Sequence, residues 1–128
     1  MINKFGENAG RIWAVLNEKG SVKKDALLKE TKLNKSEFHA AVGWLARENK
    51  ISCHNKEYFK LENTNLDSEI GDYAGRVWKI LDIWDTIDLK SLKKLTNLDD
   101  DQVFSGLGWL AREDKIEANH IDRLTLKK

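Results

Sequence analysis

Three histidines and one cysteine are the first residues in this chain whose types could do chemistry. His39, His54 and His120 share no metal-ligand spacing. Cys53 and His54 are neighbours in a segment that reads as a strand. Successive strand side chains point to opposite faces, so the two make a poor thiol–imidazole pair. A lone thiol cannot form an internal disulfide, and it suits a reducing cytosol. No P-loop, dinucleotide-binding glycine pattern or HExxH is present. The reading is a non-enzyme with no catalytic residue, no metal site and no cofactor. The remaining chemistry is charge: Lys23, Lys24, Lys32 and Lys35 gather in one stretch, and Lys50, His54 and Lys56 in another. Such cations contact phosphate, or they form an ordinary solvated face.

The chain has 128 residues, 41% hydrophobic and 34% charged, enough apolar material for packed cores. Its net charge is only +1, so no global basic field surrounds it. Residues 1–62 hold 12 Lys/Arg and 8 Asp/Glu, which is +4; residues 63–128 hold 10 and 13, which is −3. No stretch approaches a membrane span, and the first residues have no signal-peptide pattern. The expected location is the cytoplasm. Proline is absent, so turns must rely on Gly, Asn and Asp.

What positions the charges is an internal repeat. GENAGRIW at Gly6 recurs as GDYAGRVW at Gly71, and VGWLARENKI at Val42 as LGWLAREDKI at Leu107. The differences 71 − 6 and 107 − 42 both give 65. Leu16 and Leu81, Leu27 and Leu92, Thr31 and Thr96, Leu33 and Leu98, and Leu61 and Leu126 keep this register. Two copies of one fold follow, residues 1–62 (basic) and 70–128 (acidic), with a polar linker at 63–69.

Each copy reads as three helices and a hairpin. Ala9, Ile12, Trp13 and Leu16 recur at helical spacing, and Gly20 ends that helix. Val22 starts a short extended link, and Ala26, Leu27 and Thr31 mark a second helix. Asn34 or Ser36 caps a third, with Phe38, Ala41, Val42 and Leu45 on its core face. Asn49 suits a left-handed stop, as Asp114 does in the second copy. Residues 51–53 and 58–61 form the hairpin, as do 116–118 and 123–126. The fold class is mainly α with small β-hairpin wings, a tandem winged helix-turn-helix.

AGRIWAVLNEKG and GWLARENKI, with AGRVWKIL and GWLAREDKI, resemble the small winged helix-turn-helix family first catalogued as a bacterial and archaeal domain of unknown function. The resemblance covers nearly the whole chain, once per copy; the tandem arrangement departs from the single copy expected of many members. It implies a DNA-binding fold and supplies no ligand.

In a DNA-binding winged helix the third helix enters the major groove. Helical geometry puts Ser36, Ala40, Gly43 and Arg47 opposite the core stripe, with Asp101, Ser105, Gly108 and Arg112 as counterparts. These residues are mostly small or acidic, where base readout needs Arg, Asn or Gln. Asp99, Asp100 and Asp101 suit a helix N-terminus and repel phosphate.

Two partner readings follow. One is double-stranded DNA, contacted mainly by the first copy through Lys23, Lys24, Lys32, Lys35, Ser36, His39, Arg47, Lys50, His54 and Lys56, with weak sequence specificity. The other is a protein partner or homodimer, met by Ala40, Gly43, Trp44, Ser105, Gly108, Trp109 and Arg112. Gly43 and Gly108 each cost a helix roughly 1 kcal/mol, so a close backbone approach is expected there. It comes from the other copy's third helix, from a second chain, or from Gly10 and Gly75 within each unit. Arg47 and Arg112 contact phosphate, or bond the last helix carbonyls or a nearby acid.

Overall fold

The computed structural model describes residues 2–119 and 123–127; His120 lies outside them. After a short 3₁₀ turn the first copy runs α1 (Phe5–Lys19), β1 (Val22–Lys23), α2 (Lys24–Thr31), α3 (Lys35–Arg47), β2 (Ile51–His54) and β3 (Tyr58–Leu61). The second runs α4 (Asp67–Ile83), β4 (Ile87–Asp88), α5 (Leu89–Thr96), α6 (Asp100–Arg112), β5 (Ile116–Asn119) and β6 (Arg123–Leu126).

Local signals set these boundaries. Gly20 closes α1 with φ 83°, donating its N–H to the Leu16 carbonyl. Asn34 and Asp99 each start a third helix with a reciprocal capping box, to Glu37 and Gln102 respectively. Lys32 and Asn97 take left-handed conformations at the two helix-turn-helix corners, and Asn49 and Asp114 do so after the third helices. In each copy the short link strand joins the hairpin as a third antiparallel strand, in the order β1-β3-β2 and β4-β6-β5. The registers match: Val22 faces Phe59 as Ile87 faces Leu124.

The copies do not stand apart. An ideal Cβ on Gly43 would lie 1.9 Å from the Ser105 carbonyl oxygen, and one on Gly108 would lie 1.8 Å from that of Ala40. The two third helices therefore pack backbone to backbone at Ala40/Gly43 and Ser105/Gly108. Gly10 and Gly75, the intra-unit partners expected as one alternative, have nothing within 4 Å of such a Cβ. That alternative is corrected: both glycines point outward from the first helices. His39 meets Asp101 near the N-terminal ends, and Arg47 meets Glu113 past the C-terminal ends. The helices thus run in the same sense, related by a pseudo-two-fold axis along the seam.

The cores are also interlocked. Phe5, from the first copy, is buried in the second copy's cluster with Val77, Leu81 and Leu107. Its repeat counterpart Ile70 is buried in the first copy's cluster with Ile12, Phe38 and Leu45. The connection is bound as well. Asn65 accepts from the Cys53 N–H at 3.0 Å and donates to its carbonyl at 2.7 Å, and the Thr64 N–H donates to the Asn49 side chain at 2.8 Å. Helix α4 begins at Asp67, taking in the last three residues of the expected linker.

Candidate nucleic-acid interface

The helix that would read bases is closed on both faces. Phe38, Ala41, Val42 and Leu45 face the first copy's core. The opposite stripe is covered by α6, with Ala40 at 0% and Ser105 at 6% exposure. Trp44 and Trp109 flank the seam, each packed against both cores. The arginines at its end are engaged reciprocally. Arg47 pairs with Glu113 at 2.9 Å over the Trp109 ring; Arg112 pairs with Glu48 at 2.9 Å over the Trp44 ring. The residues expected to meet a protein or second chain thus meet each other within one chain, and Arg47 pairs with an acid across the seam.

Three other residues expected at phosphate have acidic neighbours within the chain. His54 bonds Glu62, which also accepts from the Ser52 hydroxyl. These two bonds, the serine's first, hold the Glu62 carboxyl below its usual range. Lys50 lies 3.9 Å from Glu48 at the far end of α3, away from the helix-turn-helix corner. His39 is mostly buried, and its Nε2 sits 3.3 Å from an Asp101 carboxylate oxygen. The approach lies outside hydrogen-bond geometry, so Nε2 has no hydrogen bond. Burial pushes its pKa down to about 4, and Lys24 adds to this while Asp101 opposes it. His39 is therefore a neutral wall residue at pH 7.

The rest of the basic set lies at the two ends of α2 and on the hairpin turn of the first copy. Lys23 lies on β1, its ammonium 5.6 Å from the Tyr58 ring centre. Lys24 joins the hairpin by donating its backbone N–H to Glu57, and its ammonium is 3.9 Å from Asp101. Lys32 and Lys35 flank the corner between α2 and α3, and Lys56 is on the hairpin turn. Lys23, Lys32, Lys35 and Lys56 are exposed; Ser36 is half-buried in the first turn of α3.

Sequence reasoning missed a cleft of 760 Å³ between the two copies. Lys24, His39 and Lys56 from the first copy face Tyr73 and Asp101 from the second. Only Asp101's place on the outward stripe hinted at it. Among the described residues, no group of three His, Cys, Asp or Glu side chains is placed to hold a metal. Nor is any described helix long and apolar enough to cross a membrane.

Helix, link strand, helix, tight corner, helix and hairpin, repeated with one register, define a tandem winged helix-turn-helix protein. The family model for the winged helix-turn-helix domain (DUF2582) matches residues 2–61 and again residues 65–126. The chain belongs to that family, with two copies in tandem. No curated protein and no solved structure matches it.

Proposed function

We propose that the chain binds double-stranded DNA as a small regulator- or nucleoid-type protein, through the phosphate backbone and with weak sequence specificity. One observation carries this reading: Lys23, Lys32, Lys35 and Lys56, on the link strand, the corner and the wing of the basic copy, are all exposed. In a winged helix these elements flank the groove and position the protein on phosphate. The seam removes the small-residue stripe of α3 from base readout, which accounts for weak specificity. Gel shifts or fluorescence anisotropy with a mixed-sequence duplex test it. Binding at low salt should weaken steeply as salt rises, with a log–log slope of roughly −4 for about four to five neutralised phosphates. No binding at low salt rejects the reading. Replacing the four lysines with Ala should abolish binding without altering the fold.

The competing reading is a protein-interaction module. Burial of both third helices favours it in general, because the usual DNA-reading surface is gone. It also removes the surface first assigned to that role, leaving such a module to work through another face.

A further inference from the structure

The repeat lets each surface position be compared with its counterpart 65 residues on. At the junction of the first and second helices of copy 1, Lys19 and Glu30 form an ion pair at 2.6 Å. Glu18 precedes it. In copy 2 the counterparts are Trp84, Leu95 and Ile83. All three stay in solvent: Ile83 is 73%, Trp84 49% and Leu95 46% exposed. On one backbone, a solvated ion pair stands where the other copy presents an apolar cluster. The fold does not need those apolar side chains, since copy 1 does without them.

Trp84 and Leu95 also border a groove of 440 Å³. Its charged lining is Lys94, Arg123 and Asp88. The Asp88 carboxylate caps α5, accepting from the Ser91 N–H at 2.7 Å, and keeps its charge opposite Arg123 on the paired strand. Lys94 and Arg123 have no ion pair among the described residues. The nearby Asp82 and Asp85 do not line the groove. Trp and Leu beside Lys94, and beside Arg123 opposite Asp88 on the paired strand, match apolar anchors flanked by carboxylates.

We propose that this face of copy 2 docks a partner protein through a short segment whose apolar side chains fill the groove and whose Asp or Glu residues meet Lys94 and Arg123. The inference stands whether or not copy 1 binds DNA.

The test uses the intact ¹⁵N-labelled chain and two synthetic helical peptides. One carries Leu and Phe on one face and Glu and Asp on the other; its control carries Lys in place of each acid. The readout is the Trp84 indole N–H resonance, assigned by its loss in Trp84→Phe. The acidic peptide should shift it, bind at least tenfold more tightly than the control, and leave the Trp13 resonance unmoved. The double variant Trp84→Lys/Leu95→Glu writes the copy 1 ion pair into copy 2. It should keep the remaining indole resonances and the melting curve while losing peptide binding. Should that variant fail to fold, Lys94→Glu/Arg123→Glu serves instead and should reverse the preference between peptides. Equal binding of both peptides, or binding retained in the variants, overturns the proposal. So does Trp84-dependent self-association in sedimentation, which makes a second copy the occupant. Trp84-dependent partition onto phosphatidylcholine–phosphatidylglycerol vesicles also overturns it, making the face lipid-binding.

Discussion

The two copies share a backbone and a set of caps, and they differ at two places where side chains leave the common core. At the inner end of the third helix, copy 1 carries His39 with Lys24 beside it; the copy 2 counterparts are Phe104 and Leu89. At the outer corner, copy 1 carries the Lys19–Glu30 pair, where copy 2 carries Trp84 and Leu95. Copy 1 is thus polar where copy 2 is apolar at both places. The middle and C-terminal end of the seam are alike on its two sides, in the Gly43–Ser105 and Gly108–Ala40 approaches and the Arg47–Glu113 and Arg112–Glu48 pairs. A duplicated fold keeps its copies similar where they pack on each other and frees them to diverge where they face solvent or a ligand.

The largest effects should come from the seam. Gly43→Ala or Gly108→Ala drives a methyl into a backbone carbonyl that neither helix can move aside cheaply. Each should cost about 3 kcal/mol, a fall in Tm of roughly 10 °C by calorimetry. Gly10→Ala and Gly75→Ala meet open space in exposed helix interiors and should stabilise by about 0.5–1 kcal/mol. A protein indifferent to all four would mean that the helices are not in backbone contact.

His39→Phe, the copy 2 choice, sharpens the comparison at the cleft. The folded pKa of His39, about 4, lies below its unfolded value near 6.5. Between these values the unfolded chain binds the extra proton, so the native state loses stability as pH falls from about 6.5 to 4. Lys24 and Lys35 oppose protonation and Asp101 and Asp99 favour it, and all four remain in the variant. The wild type should therefore lose on the order of 2 kcal/mol more than His39→Phe across that window, read from urea melts at each pH. Parallel stability profiles would contradict a buried neutral histidine.

Smaller still is the seam's charged rim. Arg47→Ala removes one ion pair and one stacking contact, both half in solvent. A loss of about 0.5–1 kcal/mol is expected, with a similar value for Arg112→Ala. Markedly unequal losses would break the symmetry of the seam.

Much of this was legible in the sequence because it depends on local rules. Gly20, Asn34, Asn49 and Asp114 act as read, since capping and left-handed stops need only a few neighbouring residues. The small-residue stripe was legible as a face, because helical periodicity fixes direction. Its occupant was not: periodicity says where a side chain points and not what lies there. Phe5 shows the same limit. It precedes the apolar pattern that starts at Ala9, and only the tertiary arrangement sends it into the other copy's core. The lysines of the corner were found by composition, but His39, Arg47 and His54 carry local partners that composition does not reveal. The Trp84–Leu95 face was visible in the 65-residue register only as a mismatch, and its meaning required the ion pair opposite it in copy 1 to be seen in place.

The central claim is that the third helices stay paired while the chain binds DNA by the exposed lysines of copy 1. The direct measurement is an NMR titration of the intact chain with a mixed-sequence duplex, following backbone amides and the nuclear Overhauser contacts between Gly43 and Ser105. The account predicts shifts at Lys23, Lys32, Lys35 and Lys56, with the Gly43–Ser105 contacts unchanged. Loss of those contacts, with the largest shifts at Ala40 and Gly43, would mean that the seam opens and α3 enters the groove, and would contradict it.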